Sequence, residues 1–282
     1  MTQAKAESVV TDSEVHGDVS VDELKLADEL LGTGRVASKE VAAYALRLGD
    51  DALILSQSLS WWVSRAPELE EDMALANITL DLLGHARAFL HFAGTASKKS
   101  EDDLAYWRDE HEFVNCWLVE QPGHDFAEMI ARQFLFSAYQ VGLYAALATS
   151  KDSSLAAIAA KSAREVRYHY DHAVQWVLRL GDGTEESRSR MIQALIDMWP
   201  YVDELFEDDD LTESLTGVAV LPSTLRPGFD EKVAAVLGEV DIEIPAGKPA
   251  KANGRQGIHT NQMGYILAEM QWLTRRHPEA KW

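Results

Sequence analysis

Apolar side chains recur at spacings of three and four residues along most of this chain, which is the period of an amphipathic helix. Four long stretches carry the pattern, and they are predicted as helices over residues 38–66, 67–92, 125–150 and 152–181. Shorter helices are predicted over residues 21–31, 101–108, 184–206, 230–237 and 260–276. No stretch alternates convincingly between apolar and polar residues. The pattern therefore predicts an all-α fold, a four-helix bundle with additional helices.

Local signals indicate where the long helices begin and end. Ser38 is a typical N-cap residue, and Pro67 followed by acidic residues is typical of a first helical turn. Gly181 can adopt the left-handed backbone that ends a helix. Gly49 marks a weak point in the first long helix, and the Gly- and Pro-rich stretch 244–257 is predicted as a surface loop.

Composition indicates a globular protein with a sizeable core. Apolar residues make up 46% of the 282 positions, and a single cysteine excludes an internal disulfide framework and fits a reducing compartment. The acidic start lacks the features of a signal peptide, and no segment approaches about eighteen uninterrupted apolar residues. We therefore predict a cytoplasmic protein with a polar N-terminal tail over 1–37, including the predicted short helix, and one helical domain over 38–282.

The formal net charge of −20 disfavours nucleic acid and membranes as partners, because polyanions and anionic lipid surfaces would repel it. A well-solvated surface is the ordinary explanation of such a charge. A negative net charge does not exclude a local basic patch. Arg275, Arg276 and His277 form one candidate patch for an anionic ligand such as a CoA ester.

A predicted bundle raises the question of a metal site. Bundle cores hold di-metal centres with one carboxylate on each of two helices and a Glu-x-x-His on each of the other two. Residues three apart on a helix converge on one centre, so the spacing is diagnostic. None of the nine histidines has Glu or Asp three positions before it. The ordinary double Glu-x-x-His signature is therefore absent from the sequence.

Two polar series come nearest to such a site, one on the second and one on the fourth long helix. Polar residues repeat every four positions at Asn77, Asp81 and His85, and again at Lys161, Glu165 and His169, with His172 one turn further. Each series occupies one helix face. If they bind metal, the candidate ligands are Asp81, His85, Glu165, His169 and His172.

The first and third long helices offer few carboxylates to complete that site. The third offers Glu128, close to its start, and the first offers Asp50, Asp51 and, further in, Gln57, whose amide is a poor iron ligand. The alternative is a hydrogen-bonded polar network, since buried charges need partners and Lys161 can supply a cation. We predict no catalytic, cofactor-binding or metal-binding residues in this chain.

Other candidate features point to structure more than to chemistry. Cys116 has His111 and His124 nearby in sequence, yet a lone cysteine is usually a small buried hydrophobe. The tryptophans are large anchors suited either to the core or to a protein interface.

Five segments of the chain resemble one known family. They read LGDDALILSQSLSWW, ELEEDMALANITLDLLGHAR, ARQFLFSAYQ, KSAREVRYHYDHAVQWVLRLGDGTEES and HTNQMGYILAEMQWLTRRHP. They are similar, in the same order, to segments of the C-subunit family of bacterial ring 1,2-phenylacetyl-CoA epoxidases. The resemblance runs from about residue 45 to the C-terminus and leaves the N-terminal forty or so residues outside.

The resemblance implies a ferritin-like bundle that pairs with a homologous A subunit. It also implies that the A subunit holds the di-iron centre and the phenylacetyl-CoA pocket, and that a reductase subunit delivers electrons from NADPH. The C subunit then supports A structurally, without a cofactor of its own, in the epoxidation step of aerobic phenylacetate degradation. An exposed interface of this kind can also lead to self-association.

Two further hypotheses belong to other classes of protein. One is a catalytic di-iron oxygenase or ferroxidase with the atypical ligands given above, which predicts bound iron. The other is a stand-alone helical binding protein for an acyl-CoA or another small ligand, which predicts saturable binding without any partner.

Overall fold

The structure is a computed structural model, and it describes residues 35–280. Its helices are α1 (Lys39–Ser60), α2 (Leu69–Gly94), α3 (Glu101–Tyr106), α4 (Phe126–Leu147), α5 (Ser153–Gly181), α6 (Glu185–Met198), α7 (Asp210–Ser214), α8 (Arg226–Glu239) and α9 (Asn261–Arg276). Two isolated bridges are the only β-type pairing between residues 35 and 280, and no strand forms there. The predicted all-α class is confirmed.

The four long helices α1, α2, α4 and α5 form the central bundle. α1 packs along α2, α4 packs along α5, and α2 meets α5 across the bundle. Most side chains of α4 are buried, as its apolar sequence predicts. The shorter helices lie around this bundle: α6 and α8 pack on α4 and α5, whereas α9 packs on α1 and α3.

The predicted N-cap Ser38 is present, but two other predicted end signals take a different form. α2 begins at Leu69, so Pro67 lies before its first turn, and Gly181 ends α5 without adopting the left-handed backbone. The Ser38 hydroxyl accepts a hydrogen bond from the Val41 amide at 3.2 Å and so begins α1. The predicted weak point at Gly49 is wrong, because α1 continues through it without a break. A Cβ at Gly49 would lie 2.8 Å from Leu90 Cδ2, so the glycine lets α1 and α2 approach closely.

Several predicted boundaries differ from the structure. The helix predicted over 184–206 ends at Met198, where Pro200 cannot continue it, and two 3-10 turns follow. α1 stops at Ser60, six residues before the predicted end, and the short helix α7 was not predicted. The helix predicted over 21–31 lies outside the described residues.

No helix within residues 35–280 combines the length and the apolar character needed to span a lipid bilayer.

Two neighbouring carboxylates of α1 tie the connecting segments to the bundle. Asp50 is fully buried and accepts hydrogen bonds from Arg108 Nη1 at 2.9 Å and from the Val114 amide at 3.0 Å. Burial raises the pKa of Asp50, and the Arg108 guanidinium opposes that shift. Asp51 accepts two bonds from Arg255, at 2.9 and 2.8 Å. The stretch predicted as a surface loop is thus anchored in the interior through Arg255.

Replacing Asp50 by alanine tests the buried bridge. We expect Asp50→Ala to lower the free energy of unfolding by ~3–5 kcal/mol, because it leaves the Arg108 guanidinium buried without its carboxylate. Urea unfolding measures the change. Arg190→Ala is the control, since it removes exposed ion pairs and should alter stability little. Equal stability of the two variants would contradict the bridge.

Candidate functional site

Two histidine–carboxylate pairs cross from α2 to α5 in the interior of the bundle. His85 Nε2 lies 2.7 Å from Glu165 Oε2, and His169 Nε2 lies 3.0 Å from Asp81 Oδ2. Each helix supplies one imidazole and one carboxylate, because the residues are spaced four apart on both helices. The two imidazole rings lie 6.2 Å apart, centroid to centroid.

A third pair lies further along the same helix contact. His172 Nε2 is 2.7 Å from Glu71 Oε1, and the second oxygen of Glu71 accepts a hydrogen bond from Trp176 Nε1 at 2.6 Å. Both carboxylate oxygens of Glu71 therefore have partners on α5. We call the three pairs His85–Glu165, His169–Asp81 and His172–Glu71 the histidine–carboxylate ladder.

His169 is the most deeply placed imidazole of the ladder. Burial lowers the pKa of His169, the hydrogen bond to Asp81 opposes this, and the neighbouring His85 lowers the pKa further. A neutral imidazole has one N–H, and a carboxylate can only accept, so we assign that hydrogen to Nε2 of His169. The pair then needs no buried cation on His169 at neutral pH.

Uncharged side chains of the other two bundle helices are also buried in the core. On α4, the Tyr144 ring packs edge-on against His85 with centroids 5.6 Å apart, and burial raises the pKa of Tyr144. Gln133, Ser137 and Gln140 continue a buried polar row along α4. On α1, Ala52 and Leu55 are fully buried, and the Ser56 hydroxyl donates to the Thr79 carbonyl of α2 at 3.0 Å.

These donors do not fit a di-iron centre. Such a centre needs carboxylates from all four helices, and the ladder draws on α2 and α5 alone. Asp50 and Asp51 of α1 are bound to arginines, and Glu128 of α4 accepts from the amides of His124 and Asp125 at the helix start. Within residues 35–280, no three His, Cys, Asp or Glu side chains converge as a metal site requires.

All five predicted candidate ligands meet in the ladder, as hydrogen-bond partners of one another or of Glu71. Two other members of the predicted series do not join. Asn77 is exposed on the outer side of α2. Lys161 is half-buried and forms no ion pair with another residue of the described part of the chain, so it does not supply the expected cation.

Two ladder partners escaped the sequence analysis. Glu71 was interpreted only as an acidic residue of the first helical turn, a common place for a carboxylate. Trp176 was interpreted as a core or interface anchor. The pattern indicates which face of each helix is polar, but it does not indicate which residues of two antiparallel helices lie at the same height.

Cys116 is fully buried, as expected for a small hydrophobic side chain. Burial raises the pKa of its thiol well above the ordinary value. A thiol in that environment is a poor nucleophile, which supports a structural role.

The outer side of α2 carries a row of apolar side chains that the core does not use. They are 38–72% exposed, and they are Leu69, Met73, Leu80 and Leu83. We call these four residues the α2 stripe. Their spacing follows one face of the helix, over about 21 Å at 1.5 Å per residue. Tyr168 of α5 is also 48% exposed, and its ring lies 6.2 Å from that of His172.

Comparisons with known proteins agree with this architecture. The family of phenylacetic acid catabolic proteins matches residues 29–282. The chain belongs to this family. One relative is the 1,2-phenylacetyl-CoA epoxidase C subunit from Escherichia coli strain K12, which is 46% identical over 246 residues, 86% of this chain and 99% of the relative. The family fold is the ferritin-like helical bundle, so that prediction is confirmed.

The depressed pKa of His169 makes stability depend on pH. Because the unfolded chain binds this proton more readily than the folded one, stability falls as the pH drops below about 6.5, the ordinary histidine value. We expect His169→Gln to flatten the pH dependence of the unfolding free energy between about pH 7 and the acidic limb. Urea unfolding at several pH values measures it, with His277→Gln as an exposed control. An unchanged dependence in His169→Gln would contradict the buried neutral imidazole.

Proposed function

We propose that this chain is a non-catalytic structural subunit of a cytoplasmic, multicomponent phenylacetyl-CoA epoxidase. In that complex it pairs with a homologous catalytic subunit and stabilises it. The α2 stripe carries the proposal, because it is a row of large apolar side chains on the bundle that the described chain leaves exposed. The likeness to an epoxidase C subunit supports the choice of complex.

The ladder supports the absence of catalysis in this chain. A bundle uses the positions between its helices either for metal ligands or for packing. Here the imidazoles and carboxylates of α2 and α5 bind one another directly, at 2.7–3.0 Å. Removing one member would leave the other buried without a partner, which is costly. The polar centre therefore fixes α2 against α5 and contributes cohesion.

The α2 stripe fits a helical partner. Four large apolar side chains along about 21 Å of one helix can pack between the side chains of a second helix lying alongside. A homologous bundle presents long helices of this kind, and a second copy of this chain does so too. In the complex, we assign the stripe as the binding surface for the homologous catalytic subunit. When the chain is purified alone, we expect the same surface to bind a second copy.

The cofactors of the reaction belong to the partners in this proposal. The catalytic subunit holds the di-iron centre and the aryl-CoA pocket, and a reductase subunit supplies electrons from NADPH. This chain binds none of these groups. This chain contributes to turnover through the catalytic subunit. The pair is expected to be more stable and more active than the catalytic subunit alone.

Charge substitution in the α2 stripe tests the pairing. We expect Leu80→Glu to weaken binding to the co-expressed catalytic subunit by about tenfold or more, because a carboxylate would be buried in an apolar contact. Analytical ultracentrifugation of the purified pair gives the dissociation constant. Ile196→Glu is the matched control, since Ile196 is 47% exposed on α6, away from the stripe.

Comparable losses in Leu80→Glu and Ile196→Glu would contradict pairing through α2. Epoxidation by the isolated chain would contradict the structural role altogether. Folding of each variant is checked first by its urea midpoint, so that loss of binding is not confused with loss of structure.

A further inference from the structure

A groove runs along α9 on a part of the surface that shares no residue with the α2 stripe. One wall is α9, the other is the segment that leads into the 3-10 turn Glu110–Glu112, and the volume is about 490 Å³. The charged side chains of Asp109, Glu110, Arg275 and Arg276 and the indole of Trp272 line it.

The helix behind this groove is firmly seated, although its outer face carries exposed aromatic rings. Met263 and Leu267 are buried on its inner face, and Gln271 Nε2 donates to the carbonyls of Ala105 and Arg108 at 2.9 and 3.0 Å. Tyr265 and Trp272, seven residues apart and so on one face, are 73% and 64% exposed. The two rings are exposed although the helix that carries them is well packed. Large exposed aromatic rings are typical of protein interfaces.

The two arginines of the groove differ in their partners. Arg275 is held by Asp109 Oδ1 at 3.1 Å and by the Tyr106 carbonyl at 2.8 Å. Arg276 is exposed and has neither an ion pair nor a side-chain hydrogen bond with any other residue between 35 and 280. A free guanidinium beside an exposed indole stands out on a chain whose formal net charge is −20.

We propose that the α9 groove docks a third protein of the complex, through a segment that presents a carboxylate next to a large apolar side chain. The carboxylate pairs with Arg276, and the apolar side chain packs on Trp272. This inference rests on the proposed function, because it concerns a second partner of the same subunit. The homologous catalytic subunit occupies the α2 stripe, so this chain connects two different proteins.

The groove fits a protein segment better than a free phosphate ligand. Asp109 and Glu110 line the wall opposite the arginines, so they would repel a CoA ester, whose phosphates carry several negative charges, more strongly than a single carboxylate. A polypeptide brings one carboxylate to Arg276 and keeps the rest of its length uncharged. Arginine and tryptophan are also the residues that most often dominate binding energy at protein interfaces.

Oxidative footprinting separates the two surfaces. Hydroxyl radicals label exposed Met, Trp and Tyr side chains, and mass spectrometry reads Met73, Tyr265 and Trp272 separately. The samples are the chain alone, its pair with the catalytic subunit, and the whole epoxidase purified through a tag on this chain. We expect Met73 to be protected in the pair and in the whole complex. We expect Tyr265 and Trp272 to be protected in the whole complex only.

Other outcomes overturn one proposal or the other. Labelling of Trp272 in the whole complex as strong as in the isolated chain overturns the docking groove. Its protection in the two-protein pair also overturns it, because the groove would then belong to the catalytic subunit's interface. If the labelling of Met73 is the same in the pair as in the isolated chain, the proposed pairing through α2 is contradicted. The docking groove is then tested separately, by the labelling of Trp272.

Two substitutions test the chemistry of the groove. We expect Trp272→Ala and Arg276→Glu each to reduce retention of the third protein in the tagged complex by about tenfold, while the catalytic subunit stays bound. Ile196→Ala and Lys248→Glu make matched changes at exposed positions outside the groove and should have no effect. Equal retention in the groove variants and the controls overturns the proposal.

Discussion

Three imidazoles of α2 and α5 each place Nε2 against a carboxylate of the facing helix. The three pairs set how far α2 and α5 can slide and turn against one another, because each pair joins atoms at 2.7–3.0 Å. A shift of one helical turn would leave buried charges without partners. The orientation of α2 follows from this constraint, and with it the direction in which the α2 stripe faces.

The remaining polar contacts of the interior extend the same arrangement. Asp50 and Asp51 sit side by side on α1 and hold two distant segments through Arg108 and Arg255. α9 is in turn fixed through Gln271, which reaches the carbonyls of Ala105 and Arg108. These contacts join distant segments of the chain through its interior. We assign the contacts with other proteins to two surfaces, the α2 stripe and the α9 groove.

Periodicity and caps were sufficient to predict the bundle and most of its helices, because helix formation depends on local spacing. They failed where tertiary contacts determine the role of a residue. Gly49 was predicted as a weak point of the helix, but it allows α1 to pack closely on α2. The sequence also predicted the members of the ladder but not its pairs or Glu71, since heights on facing helices depend on the fold. Leu80 and Met73 could not be told from core residues until the inward face of α2 was known.

The iron content of the purified chain, measured by mass spectrometry after growth in iron-supplemented medium, tests most directly whether the ladder is structural. We expect no stoichiometric iron, and the same trace level in wild type, His85→Ala and His169→Ala. Iron near one or two atoms per chain that both variants lose would contradict this account. The interior of the bundle would then be a metal site with atypical ligands, and the chain a catalytic protein.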